Sequence, residues 1–131
     1  MEGRVLVSNR SVLIVDRSET GEVLKTALER RGVQIFSAEQ VGQGLELARE
    51  HQPDLIVLDL ESGGAEPEEV CARFNEPDSA DRPLVLLGTI SRQRQQAVRG
   101  EFVAKPYHYA PLIRRIEELL AARERVRAHC A

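Results

Sequence analysis

Residues 11–20 read SVLIVDRSET. The run Ser11–Val15 is almost wholly apolar and rich in β-branched side chains, the pattern of a strand covered on both faces. It stops on Asp16, and the period then changes. Ser18 is placed to cap a helix carrying Val23, Leu24, Ala27 and Leu28 at helical spacing, and Arg30, Arg31 and Gly32 suit its end. A buried strand that ends on an acid and passes at once into an amphipathic helix sets the reading of the rest of the chain.

The same alternation repeats. Residues 33–37 give a second strand, and Val41, Leu45, Leu47 and Ala48 mark a second helix ending before Pro53. LIVLD, residues 55–59, is the most apolar strand. A third helix falls within 67–75, followed by the polar loop NEPDSADRP and a strand LVLL at 84–87. After the polar segment TISRQRQQAVRG, a fifth strand EFVA runs straight into Lys105 and Pro106. A last helix from about Pro111 carries Leu112, Ile113, Ile116, Leu119 and Leu120. Strands alternating with helices imply right-handed crossovers and a parallel sheet covered on both faces. Residues 4–8 read either as a small extra strand or as a frayed lead-in. The reading divides the chain into an N-terminal extension (1–10), one domain (11–121) and a helical extension or linker (122–131).

Length and composition set the bounds. A chain of 131 residues holds one domain. With 42% hydrophobic and 30% charged residues, a net charge of -3 and both signs spread along the chain, it has the composition of a soluble globular protein without a nucleic-acid-binding surface. No apolar run approaches the roughly 20 residues that span a bilayer, and MEGRVLVSNR lacks the apolar core of a signal peptide, so a cytoplasmic location is expected. Cys71 and Cys130 match no metal-ligand spacing or redox pair, which suits a reduced compartment, and His51, His108 and His129 share no metal spacing. RSETG after the first strand lacks both G-x-G-x-x-G and G-x-x-x-x-G-K-S/T, which argues against a nucleotide binder.

In an open α/β sheet, ligands bind at the carboxyl ends of the strands, near the switch in strand order. The first strand ends in Asp16 and Arg17, the third in Asp59, the fourth in Gly88 and Thr89, and the fifth in Lys105. If the sheet is ordered in the flavodoxin-like way, two carboxylates and one ammonium converge. That set suits a phosphoryl group: one acid as nucleophile, one acid for a hard divalent cation, and a lysine to neutralise developing charge. Of 18 basic residues only Lys25 and Lys105 are lysines, so a chain that otherwise uses arginine keeps a compact point charge at this position. As a strand-end acid, Asp59 is expected to be exposed.

VLIVDRSE, PDLIVLDL and FVAKP, in this order and spacing, resemble the response-regulator receiver domain of two-component signalling, and the resemblance covers about 11–120. It implies an α/β, flavodoxin-like (βα)5 three-layer sandwich with a central five-stranded parallel sheet, here with a short or irregular fourth helix. It implies that Asp59 is the phosphoacceptor, that Asp16 and Asp59 serve Mg²⁺, and that Lys105 contacts the phosphoryl group. Implied partners are a histidine kinase or phosphotransfer protein and an output domain or partner protein. The resemblance describes a signalling module rather than an enzyme, with no direct nucleic acid binding, no membrane association and no stated oligomeric state. No helix-turn-helix fits the remaining residues.

Four departures from the family pattern stand out. Arg17 occupies the place of a second acid, which changes the local charge by about two units and weakens the metal site. Its guanidinium is expected either to pair with Asp59 as a bidentate fork or to swing into solvent. The switch hydroxyl aligns with Gly88, and the neighbouring Thr89 lies one position late, on the opposite strand face unless the backbone bulges. The loop LESGGAEPEE lacks a Met-Pro turn, though Gly63 and Gly64 allow a tight one. The segment between Gly88 and Lys105 is short, so the fourth helix is truncated or irregular. Phe102 keeps the aromatic position of the switch region but without a hydroxyl to couple to. The alternative reading is a divergent pseudo-receiver, a phosphorylation-independent protein-interaction module. The tail AARERVRAHCA reads as a solvated helical extension.

Overall fold

The computed structural model describes residues 10–61, 66–75, 82–89 and 100–130. Its elements run β1 (Ser11–Val15), α1 (Glu19–Glu29), β2 (Gln34–Ala38), α2 (Val41–His51), β3 (Leu55–Asp59), α3 (Pro67–Phe74), β4 (Leu84–Gly88), β5 (Glu101–Ala104) and α4 (Tyr109–Cys130). The five strands form one parallel sheet in the order β2-β1-β3-β4-β5. From β1 the chain moves outward to β2 and then returns across β1 to β3, so the switch in direction lies between β1 and β3, where a ligand crevice forms.

Alternate side chains of the buried strands go to opposite faces. Val12 and Ile14 pack with Leu24 and Leu28 of α1 and Ile116 and Leu120 of α4. Leu13 and Val15 pack on the other face with Ala48 of α2 and with Val70, Cys71 and Phe74 of α3. The result is the three-layer flavodoxin-like sandwich the sequence implies. Close packing of α2 on β1 depends on Gly44, where an added Cβ would stand 2.7 Å from Val15 Cγ2. The capping expectation holds: Ser18 Oγ accepts the Thr20 N–H at 3.3 Å, and Gly32 follows α1 with φ 85°. β2 starts at Gln34, one residue later than expected, and α4 starts at Tyr109, two residues before Pro111.

At the opposite end of the sheet, the buried Asp54 carboxylate accepts the Ser11 N–H at 2.9 Å and lies 3.5 Å from Arg123 Nε. Arg10 forks onto Glu124 at 2.9 and 2.8 Å. α4 continues unbroken into the tail, where Arg123 and the exposed Glu124 pair with Asp54 and Arg10, the residues that precede β3 and β1. The expectations for residues 4–8, for the glycines at 63 and 64, and for a helix between β4 and β5 (residues 90–99) lie outside the described residues.

Candidate functional site at the strand ends

Asp59 is the last residue of β3, and Asp16 follows β1 directly, its N–H extending the ladder to Ala38 O at 3.0 Å. Lys105 follows β5, and its N–H donates to Gly88 O at 3.2 Å. The sheet order thus brings the three predicted groups together. Lys105 Nζ lies 2.9 Å from Asp59 Oδ1, and the Asp59 oxygen also accepts the Glu61 N–H at 3.1 Å. Contrary to the expectation of an exposed acid, Asp59 is only 4% exposed. The reason is local: an apolar strand ends in it, the buried Leu60 follows, and Lys105 reaches across. A buried carboxylate needs such a cation and such donors.

Asp16 is buried as well. Its Oδ1 accepts both the Ser18 N–H (2.7 Å) and the Ser18 hydroxyl (2.6 Å), while its buried Oδ2 has no hydrogen-bond partner among the described residues. Burial pushes the Asp16 carboxyl above the ordinary value; the Ser18 bonds oppose this, the charge of Asp59 adds to it, and that of Lys105 subtracts. Gly21 on α1 lets the helix approach this acid, since a Cβ there would stand 3.1 Å from Asp16 Cβ.

Arg17 is exposed and lines a cleft of about 380 Å³ between the ends of β1 and β2, together with Ser18, Glu39 and Gln43. β4 holds its register through Gly88, opposite Ala104, so the backbone makes no bulge that would move Thr89 inward, and Thr89 is exposed. Phe102 is half-buried and packs against the α2–α3 face of the core.

Glu61 is a site residue that sequence reasoning missed. Its Oε1 lies 3.2 Å from Lys105 Nζ, and its Oε2 accepts the Thr89 N–H at 3.1 Å. The Lys105 hydrogen bond holds the Glu61 carboxyl below its ordinary value, aided by Lys105's charge and the Thr89 bond. For Lys105, burial works against the ammonium, but the hydrogen bonds to Asp59 and Glu61 outweigh it and raise its value. The only available signal was an acid two residues beyond a strand-end acid, in a loop whose course the sequence does not fix.

The donor set fits Mg²⁺ at its lower limit. Asp16 brings a buried oxygen without a hydrogen-bond partner and senses the charge of Asp59, and Mg²⁺ is commonly held by one or two carboxylates while keeping several waters. Among the described residues no group of three or more His, Cys, Asp or Glu side chains could hold a metal.

Such a sheet, with two buried acids and a lysine gathered at its switch point, defines a flavodoxin-like domain with a polar cluster where ligands of such sheets bind. No family model matches the chain. It is 34% identical over 120 residues to the transcriptional regulatory protein AfsQ1 of Streptomyces coelicolor, covering 87% of this chain and 52% of that protein. It is 29% identical over 117 residues to protein PilH of Pseudomonas aeruginosa, covering 84% and 97%. The solved signal receiver domain of a signal transduction histidine kinase from Syntrophus aciditrophicus superposes with a TM-score of 0.75 at 26% identity, covering 86% and 91%. The chain thus spans about half the length of the AfsQ1 relative and nearly all of PilH. Fold, strand-end groups and relatives together identify it as a receiver domain of two-component signalling. No described helix is long and apolar enough to cross a membrane.

Proposed function

We propose that Asp59 accepts a phosphoryl group from a phosphohistidine of a histidine kinase or phosphotransfer protein, or from a small phosphodonor, and that a partner protein or output domain reads the change. An Asp59 carboxylate oxygen attacks phosphorus and forms the new O–P bond. The P–N bond of the donor breaks, its electron pair goes to the imidazole nitrogen, and that nitrogen takes up a proton as needed. The observation that carries the reading is Lys105 Nζ at 2.9 Å from Asp59 Oδ1, at the ends of two different strands. There the ammonium neutralises charge developing on the phosphoryl oxygens.

Asp16 and Asp59 would hold Mg²⁺, which when bound supplies further neutralisation of phosphoryl charge. Arg17 weakens this cation without removing the nucleophile. Treatment with acetyl phosphate and Mg²⁺, followed by intact-mass measurement, tests the reading: a single labile phosphoryl adduct is expected, absent from Asp59→Asn. A second reading, a phosphorylation-independent interaction module, is favoured by Arg17 and Gly88, which replace a ligand and a switch hydroxyl of the family pattern. Wild-type protein that takes up no label under any magnesium concentration supports that alternative.

A further inference from the structure

A phosphoryl group on Asp59 needs hydrogen-bond donors for its oxygens. Two donors beside the site are the Lys105 ammonium, which touches Asp59, and the Thr89 N–H just after β4, which Glu61 links to that ammonium. Both are already engaged by one anion. Glu61 sets one carboxylate oxygen on Lys105 Nζ (3.2 Å) and the other on the Thr89 N–H (3.1 Å), while its own N–H anchors it to Asp59 Oδ1 (3.1 Å). A carboxylate with its two oxygens spread over an ammonium and a backbone N–H makes the contacts that two oxygens of an acyl phosphate would make.

Gly88 gives this anion its room. A Cβ at that position would stand 3.9 Å from Glu61 Cγ and 3.3 Å from Leu60 Cβ, so any longer side chain there would compete for the space Glu61 uses. The Glu61 side chain is 48% exposed, which leaves it free to swing toward solvent without unpacking the core.

We propose that Glu61 is an internal gate: in the unphosphorylated domain its carboxylate occupies the phosphoryl-binding donors, and it must leave them for Asp59 to be phosphorylated. The proposal rests on the acceptor reading of Asp59. Charge gives the direction of the movement. Lys105 faces two carboxylates, and phosphorylation replaces the single charge of Asp59 by the roughly two charges of an acyl phosphate, so Glu61 is driven off both donors. Its release from Thr89 changes the surface at the end of β4, which makes Glu61 the moving part in a domain where Gly88 offers no hydroxyl.

The test compares wild type with Glu61→Ala and Glu61→Gln. Labelling by acetyl phosphate with Mg²⁺ is followed by intact mass, and the Thr89 amide resonance is compared between the three chains by NMR at one neutral pH. Glu61→Ala is expected to label on the order of tenfold faster than wild type, the size of effect that one charge-assisted hydrogen bond gives, with Glu61→Gln between them. The Thr89 amide resonance is expected to shift from wild type to Glu61→Ala, because the hydrogen bond to the Glu61 carboxylate is lost. Equal or slower labelling of Glu61→Ala overturns the gate while leaving Asp59 as the acceptor. A Thr89 resonance indifferent to the substitution overturns it as well. Absence of label in every chain, gate variants included, overturns the acceptor reading and the gate with it.

Discussion

Lys105 Nζ lies 2.9 Å from Asp59 Oδ1 and 3.2 Å from Glu61 Oε1, so one ammonium serves two carboxylates from the same strand end. Stability should therefore fall at two separate pH edges. The Lys105 value is raised in the fold, so its contribution is present in full below its ordinary value of 10.5 and is lost as pH climbs through the higher folded value. The Glu61 value is lowered, so its contribution is present above 4.5 and is lost as pH falls through the folded value. Thermal unfolding across pH should show both edges in wild type, small because solvent screens both side chains. Lys105→Met should flatten both edges, and edges unchanged in that variant would show that the pairs carry no stability.

Asp16 predicts the opposite sign. Its carboxyl is raised by burial, so its favourable protonated form is fully present only below 3.8, and its charged form weakens the fold once pH rises through the folded value. Asp16→Asn keeps an oxygen for Ser18 and removes the buried charge. It should raise the melting temperature at neutral pH by a few degrees, the response to about 1 kcal/mol in a domain this size, and the gain should fade in acid. A lower melting temperature at neutral pH would mean that the Ser18 bonds need the charge.

Two glycines on α2 give a paired test of the packing. At Gly44 an added Cβ would meet Val15 Cγ2 at 2.7 Å and Phe74 Cζ at 3.4 Å, and the buried helix face has no room to yield. Gly44→Ala should cost about 1–3 kcal/mol. At Gly42 nothing lies within 4 Å, so Gly42→Ala should gain up to about 1 kcal/mol from helix propensity. Denaturant unfolding reads both, and equal effects would contradict the assigned face of the helix.

Much of this was legible because the strands are short apolar runs that end abruptly. Asp16, Asp59 and Lys105 are each the first polar group after such a run, and parallel strand order alone brings their ends together. Side-chain reach was less legible. The Glu61 clamp depends on how the chain leaves β3, and its partners lie 28 and 44 residues away. The pairing of Arg123 with the buried Asp54 and of Glu124 with Arg10 was hidden for a similar reason, because a charged helical tail reads the same whether or not its charges find partners. Asp59 looked exposed because strand ends usually are. Its burial comes from Leu60 and Lys105, one of them from a strand two positions away in the sheet.

The central claim is that this strand-end site takes a phosphoryl group on Asp59. Its most direct test is the thermal shift produced by Mg²⁺ with beryllofluoride, an acyl-phosphate mimic, in wild type, Asp59→Asn and Arg17→Asp. At 100 times its dissociation constant the mimic should add roughly 2.7 kcal/mol, a rise of several degrees. The account predicts that rise in wild type, none in Asp59→Asn, and the same rise at markedly lower magnesium in Arg17→Asp. No rise in wild type or in Arg17→Asp, even at high magnesium, would contradict it.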